Sequence, residues 1–197
     1  MADVKTTDSL NDDAIRETPL RDEPQFKGIL IDVSHMTVRL PNGVEALREV
    51  VHHKGAAAIV PVDAQGNVTL VRQHRVVIGQ ITLEIPAGKL DFAGEDPLAC
   101  AHRELSEETG LLAERMEPLC PMITTPGYCT EEISLYLATG LSQGATHPDA
   151  DEFVSVVRMP LAQAVARVMQ GEICDAKTAL GLLMAWAKLG LGPVPLA

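Results

Sequence analysis

The segment 88–111, which reads GKLDFAGEDPLACAHRELSEETGL, constrains the fold of this 197-residue chain more than any other. Asp96 and Pro97 are residue types that begin helices, and Gly110 is a type that ends them. No proline or glycine lies between Pro97 and Gly110. The sequence therefore predicts one helix between these signals, entered through a glycine-containing loop.

The predicted helix carries three glutamates on one side. At about 100° per residue, the carboxylates fall on one arc and apolar side chains on the neighbouring arc. The two sets are Glu104, Glu107 and Glu108, and Leu98, Ala101 and Leu105. Like charges at these spacings destabilise an isolated helix by about 0.2–0.5 kcal/mol per pair. Mg²⁺ or Mn²⁺ would remove that repulsion and accepts carboxylate oxygens as ligands, whereas a generic acidic cluster is more often a solvated helix face.

The whole segment resembles the Nudix box, which favours the metal interpretation. That family pattern is Gly, five residues, Glu, seven residues, Arg, Glu, an aliphatic residue, any residue, Glu, Glu, any residue, Gly and an aliphatic residue. The chain matches it without a break from Glu95 to Leu111. Six residues instead of five separate Gly88 from Glu95, so the loop must bulge by one residue. Gly94 suits such a bulge because glycine adopts left-handed conformations readily.

Other segments resemble the ADP-ribose and ADP-sugar pyrophosphatase branch of the Nudix family. They are LPNG at 40–43, REVV from Arg48, VRQHR at 71–75, LEIPAGKL at 83–90, TTPGY at 124–128, DEFV at 151–154 and CDAKTA at 174–179. The resemblance implies an α/β Nudix fold, a mixed β-sheet sandwiched between α-helices, with a small N-terminal β subdomain. In this branch that subdomain forms a homodimer.

The pattern along the chain predicts three parts, and the resemblance implies dimerisation for the second and hydrolase activity for the third. Residues 1–23 are polar and are expected to be a disordered tail, 24–54 to form the β subdomain used for dimerisation, and 55–192 to form the Nudix hydrolase domain. AAAIVPV and VTLVRQHR, on either side of a turn at Gly66 and Asn67, predict a hairpin. Later segments predict strands at 119–123, 133–139 and 153–159, and helices at 161–169 and 175–189.

The resemblance also implies metal ligands and catalytic groups. The metal ligands would be the carbonyl oxygen of Ala87 and the carboxylates of Glu104, Glu107, Glu108 and Glu152. Glu107 would be such a ligand or would position water, and Arg103, one turn before it, would hold its carboxylate in one rotamer. The loop acid that takes a proton from the attacking water maps best to Glu152. Asp149 and Asp151 compete for this role, and a solvated acidic loop is the alternative for each of the three.

Substrate contacts follow from the same resemblance. Arg75 matches an arginine that binds the diphosphate, and the alternative is an ordinary surface arginine at a strand end. Phe26 and Arg48 match residues that reach the adenine and its ribose from the partner subunit, although Phe26 can equally be a core residue. The remaining candidates are Lys89, Pro126, Gly127 and Glu131.

The implied reaction is Mg²⁺-dependent hydrolysis of the diphosphate of ADP-ribose to AMP and ribose 5-phosphate, with Mn²⁺ as a substitute ion. Another ADP-sugar or GDP-mannose is the nearest alternative substrate, because the box recognises only the diphosphate. A non-catalytic ADP-ribose sensor would predict a damaged box or an attached basic module. A Ca²⁺-binding or acidic interaction protein would predict no Mg²⁺-dependent release of AMP.

Charge and cysteine content limit the partners and the compartment. The formal net charge of −11 argues against nucleic acid as a partner. Four widely spaced cysteines without a CxxC pair predict neither a zinc site nor a disulfide framework. The polar N-terminus lacks the pattern of a signal peptide, and no apolar run approaches the roughly 18 residues of a membrane helix. We therefore expect a cytoplasmic protein that acts on a small molecule.

Overall fold

A computed structural model of the chain describes residues 12–92, 94–144 and 153–195. These residues divide into two units: residues 12–53 with Thr125–Thr130 form the first, and the other described residues form the second. No helix in the described part of the chain is long and apolar enough to cross a membrane.

The first unit is built on a three-stranded antiparallel sheet in the order β1, β2, β3. Its strands are β1 (Thr18–Lys27), β2 (Asp32–Arg39) and β3 (Glu45–His52), and a 3-10 turn at Asp12–Ala14 precedes them. β1 begins by pairing Thr18 with Arg39. Assigning residues 18–23 to a disordered tail is therefore wrong. Nearly all side chains of β1 are exposed, so the strand depends on backbone pairing and lacks the apolar alternation that sequence patterns detect.

The second unit contains the remaining elements, which form two sheets and three helices. They are β4 (Ala56–Pro61), β5 (Asn67–Arg75), β6 (Gln80–Glu84), β7 (Ala87–Lys89), α1 (Pro97–Thr109), β8 (Leu111–Ile123), β9 (Glu132–Gln143), β10 (Val154–Pro160), α2 (Leu161–Met169) and α3 (Ala176–Lys188). One sheet has the order β7, β4, β9, β8, and the other has the order β10, β5, β6. The first of these is mixed, because β4 runs parallel to β9 while the other pairs are antiparallel.

Strand β4 shows how helices cover both faces of the mixed sheet. All six of its residues are buried. Ala58 and Val60 pack in a cluster with residues of α2 and α3. Ala57 and Ile59 point the other way and pack in a cluster with residues of α1. Because side chains alternate between the two faces of a strand, this burial confirms a mixed sheet between helices.

The predicted hairpin, in which the strands on either side of Gly66 and Asn67 would pair with each other, is wrong. An isolated antiparallel bridge joins Val62, the residue after β4, to Val68 of β5. β4 then pairs with β7 and β9, whereas β5 pairs with β6 and β10. All of β4 and residues 68–71 of β5 are buried and mainly apolar, so tertiary packing and not the tight turn decides the partners of these strands.

Candidate functional site

Helix α1 has the predicted bounds because its two ends are capped by the expected residues. The side chain of Asp96 accepts a hydrogen bond from the backbone N–H of Leu98 at 3.0 Å. Gly110 has a φ of 68°, in the left-handed region, and donates its N–H to the carbonyl of Ser106. These caps fix where the helix begins and ends, and hence which glutamates share one face.

The carboxylate face of α1 is buried. Glu104 and Glu108 are each only 7% exposed, and Glu107 keeps 26% of its side chain exposed. On the adjacent arc, Ala101 and Leu105 are buried in a cluster with residues of β4, as predicted, whereas Leu98 is 37% exposed. A solvated acidic helix face is therefore excluded for Glu104 and Glu108. Carboxylates so deeply buried need a cation or hydrogen-bond donors to offset their lost hydration.

Arg103 supplies donors to this face. Its Nη1 donates to Oε1 of Glu104 at 2.6 Å and to Oε2 of Glu107 at 3.0 Å. Its Nη2 donates to the carbonyl oxygen of Lys89 at 3.2 Å. One guanidinium thus joins two carboxylates of α1 to the backbone of β7, and the predicted contact between Arg103 and Glu107 is present in the structure.

Burial and charge act in opposite directions on Arg103. Burial disfavours its positive charge, but Glu104, Cys100 and Glu107 together outweigh burial and raise the pKa of the guanidinium. Its Nε is buried and has no hydrogen-bond partner within the described ranges. Arg103 therefore stays charged at all physiological pH values and acts as a fixed cation beside the carboxylates.

The first two residues of β7, Ala87 and Gly88, lie close to α1. The backbone N–H of Ala87 donates to Oε2 of Glu108 at 3.1 Å. A Cβ added at Gly88 would lie 2.0 Å from Cδ and Oε1 of Glu104. Only glycine at position 88 lets the carboxylate of Glu104 occupy this place, which explains why the box begins with that residue type.

The loop between β7 and α1 accommodates its extra residue as predicted. Gly94 has a φ of 86°, in the left-handed region that favours glycine. Glu95 accepts a hydrogen bond from the backbone N–H of Asp91 at 2.6 Å, and its Oε1 lies 3.8 Å from Nη2 of Arg103. Glu95 thus closes the loop and adds a carboxylate near Arg103.

The donor chemistry at α1 and β7 fits a hard divalent cation. Glu104 and Glu108 present buried carboxylates one turn apart, and Gly88 leaves room for one of them beside the backbone. No group of three His, Cys, Asp or Glu side chains placed to hold an ion is found in ranges 12–92, 94–144 and 153–195. The fifth predicted ligand, Glu152, lies outside those ranges, as do Asp149 and Asp151. The complete ligand set, with Ala87 and Glu107, stays a prediction.

Arg75 lies at the end of β5 and forms a bidentate ion pair across to β6. Its Nε and Nη2 donate to Oε1 and Oε2 of Glu84, each at 2.7 Å. This pairing raises the pKa of Arg75. Burial would raise the pKa of Glu84, but Arg75 and Lys177 together lower it to about 2. Arg75 is therefore more constrained than an ordinary surface arginine.

Sequence reasoning missed Glu84, Lys177 and Asp175 as residues of the site region. Lys177, at the start of α3, donates to Glu84 and also to Oδ2 of Asp175, the latter at 3.0 Å. All three lie in the segments LEIPAGKL and CDAKTA, whose resemblance to the family gives none of these three residues a role in metal or substrate binding. Charged residues inside otherwise apolar motifs were the signal that could have found them.

The other predicted substrate residues are distributed over both units. In the first unit, Arg48 pairs with Glu17 through two hydrogen bonds of 3.0 and 2.5 Å. Phe26 in β1 is 58% exposed, so the core alternative for this residue is wrong. Pro126 and Gly127 occupy a turn in which the N–H of Tyr128 donates to the carbonyl of Thr125 at 3.1 Å. Lys89 in β7 and Glu131 belong to the second unit.

Comparisons with known proteins agree with the resemblance found in the segment that contains α1. The NUDIX domain family matches residues 51–177. The chain is 39% identical to a methanol dehydrogenase activator of Bacillus methanolicus, over 84% of this chain and 90% of that protein. It is 40% identical to an ADP-ribose pyrophosphatase of Mycobacterium tuberculosis, over 84% of this chain and 81% of that protein. A crystal structure of an ADP compounds hydrolase superposes with a TM-score of 0.78 at 25% identity, covering 90% of this chain and 96% of that one.

Proposed function

The chain belongs to the NUDIX domain family and has its fold, and we propose that it is a hydrolase that cleaves the diphosphate of ADP-ribose into AMP and ribose 5-phosphate. The observation that carries the proposal is the likeness, over most of the chain, to an ADP-ribose pyrophosphatase. The buried carboxylates of α1 support it, because cleavage of a diphosphate in this family uses a divalent metal ion. We propose Mg²⁺ as that ion, with Mn²⁺ as a substitute.

The residues around α1 would hold the metal and orient its ligands. Glu104, Glu107 and Glu108, with the carbonyl oxygen of Ala87, would bind it. Arg103 holds the carboxylates of Glu104 and Glu107 in fixed rotamers through its two hydrogen bonds. When bound, the metal neutralises charge on the phosphoryl oxygens and lowers the pKa of the attacking water.

A loop acid would accept the proton from the attacking water. We assign this role to Glu152, with Asp149 and Asp151 as the alternatives. The three variants Glu152→Gln, Asp151→Asn and Asp149→Asn separate them by their turnover rates at saturating Mg²⁺. One variant should lose most of the rate, and three unaffected rates would place the base elsewhere.

A second copy of the chain would also contribute substrate contacts. Arg75 would bind the diphosphate, and the other proposed substrate-binding residues are Lys89, Pro126, Gly127 and Glu131. Phe26 and Arg48 would contact adenine and ribose in the site of the partner subunit. The 58% exposure of Phe26 supports this role, because an exposed aromatic ring can stack on a base.

A homodimer and a cytoplasmic location complete the proposal. A three-stranded sheet whose β1 side chains are almost all exposed buries little apolar surface by itself, so a second copy is the expected partner. Light scattering after gel filtration measures the assembly, and a mass of one chain would contradict the dimer. All four cysteines are free thiols, which supports a reducing compartment.

A substrate panel tests the activity. AMP release should be fastest from ADP-ribose, slower from ADP-glucose, and absent without Mg²⁺. A higher kcat/KM for GDP-mannose, measured as GMP release, would transfer the proposal to that substrate. Binding of ADP-ribose without any turnover would favour a sensor.

A further inference from the structure

The carboxylate of Glu84 is the centre of a hydrogen-bond network that the proposed reaction leaves without a role. Its side chain is 3% exposed. Besides the two bonds from Arg75, its Oε1 accepts from Oγ1 of Thr82 at 2.5 Å and its Oε2 accepts from Nζ of Lys177. A carboxylate bound by two cations and a hydroxyl is held in one orientation, and it holds its partners in turn.

The network leaves one edge of Arg75 available. A guanidinium has two edges that can bind an oxyanion bidentately, and the Nε–Nη2 edge of Arg75 faces Glu84. Nη1 of Arg75 donates no hydrogen bond to the described residues, and 43% of the side chain is exposed. The nearby charge of Glu108 contributes to the raised pKa of Arg75, which places this arginine in the neighbourhood of the box carboxylates. The remaining edge is thus available for a phosphate group.

Helix α3 supports the network from behind. Lys177 is 11% exposed and bridges Glu84 to Asp175. Asp175 caps α3 by accepting the N–H of Thr178 at 3.0 Å. The hydroxyl of Thr178 accepts the N–H of Ile85, the residue after Glu84, at 3.0 Å. The first turn of α3 is therefore fixed to the chain at the end of β6.

We propose that Glu84, held by Lys177, is a positioning residue that orients Arg75 for binding the substrate diphosphate. This inference rests on the proposed function, in which Arg75 binds that group. Lys177 also offsets the negative charge of Glu84, so that Arg75 keeps its attraction for phosphate oxygens. A purely structural ion pair would affect stability but not substrate binding through Arg75.

The variant Glu84→Gln separates positioning from simple electrostatics. It removes a negative charge beside the proposed diphosphate site, so electrostatics alone predicts a lower KM. Loss of the bidentate ion pair with Arg75 predicts the opposite: the KM for ADP-ribose should rise about tenfold, with a smaller change in kcat. Lys177→Met should also raise the KM for ADP-ribose. Lys177→Arg keeps the positive charge, so its KM should be close to that of the wild type. An unchanged or lower KM for Glu84→Gln would overturn the proposal.

A double-mutant cycle shows whether Glu84 acts through Arg75. In an Arg75→Ala background, Glu84→Gln should change KM by less than about twofold, because the group being positioned is gone. An effect as large as in the wild-type background would overturn the proposal. The exposed ion pair between Lys188 and Glu117, at 3.3 Å on the same helix and β8, provides matched controls as Lys188→Met and Glu117→Gln.

Three further measurements distinguish failure of the inference from failure of the proposed function and from failure of a variant to fold. Turnover by the wild-type protein tests the proposed function independently of the variants. If another nucleoside diphosphate sugar is the substrate, the double-mutant cycle of Glu84 and Arg75 is measured with that substrate. If none is turned over, calorimetric dissociation constants for ADP-ribose replace KM, with the same expected ratios. If thermal unfolding shows that Glu84→Gln does not fold, Glu84→Asp replaces it, because aspartate keeps the charge but moves the carboxylate away from Arg75.

Discussion

The ion pairs of Glu84 make the stability of the chain depend on pH. Burial opposes the ionised form, yet Arg75 and Lys177 lower the pKa from 4.5 to about 2. A carboxyl whose pKa is lowered in the folded state stabilises the fold above its unfolded pKa. That stabilisation is lost as the pH falls through the folded value, so the window of loss runs from about pH 4.5 down to about pH 2.

The size of the effect follows from the two pKa values. A shift from 4.5 to about 2 corresponds to about 3 kcal/mol of unfolding free energy at neutral pH. Solvent screens little of it, because the side chain is 3% exposed. About 2 kcal/mol of this contribution should be lost between pH 7 and pH 3, since only the unfolded carboxyl is mostly protonated at pH 3.

Urea denaturation of wild type and Glu84→Gln at pH 7, 5 and 3 measures the effect. The difference in unfolding free energy between the two proteins should shrink by about 2 kcal/mol from pH 7 to pH 3, because other titrating groups cancel in the difference. Glu117→Gln, at an exposed carboxylate, controls for the substitution itself. A difference for Glu84→Gln that is equal at pH 7 and pH 3 would refute the reasoning.

Substitutions at three further positions test the box and the support of α3. Glu108→Gln should keep its fold and lose most AMP release from ADP-ribose at saturating Mg²⁺, and a near-normal rate would contradict the ligand assignment. Gly88→Ala should lower kcat at least about tenfold, because its Cβ would lie 2.0 Å from the carboxylate of Glu104, and an unchanged kcat would show that this carboxylate can move. Asp175→Ala should cost about 1 kcal/mol in urea denaturation through loss of the cap on Thr178, whereas Asp175→Asn keeps an acceptor and should cost less. Equal losses for the two Asp175 variants would argue against the cap.

Local features of the chain could be predicted where the interactions that cause them are close in sequence. Asp96 and Gly110 set the ends of α1 within one turn of themselves, so the helix and its carboxylate face followed from residue order alone. Gly94 likewise takes the left-handed conformation that the longer loop required. The strand pairing of β4 and β5 did not follow, because two buried apolar runs carry no information about which neighbour each will choose.

Residue order by itself thus determined the family, the helix that carries the box and the glutamates gathered on one side of it. The tertiary structure alone decided that Glu104 and Glu108 are buried beside β7, and that Arg75, Glu84 and Lys177 meet from β5, β6 and α3. A helical period brings together residues three or four positions apart. Contacts between Glu84 and Lys177, 93 residues apart, form only when packing of the core brings their elements together.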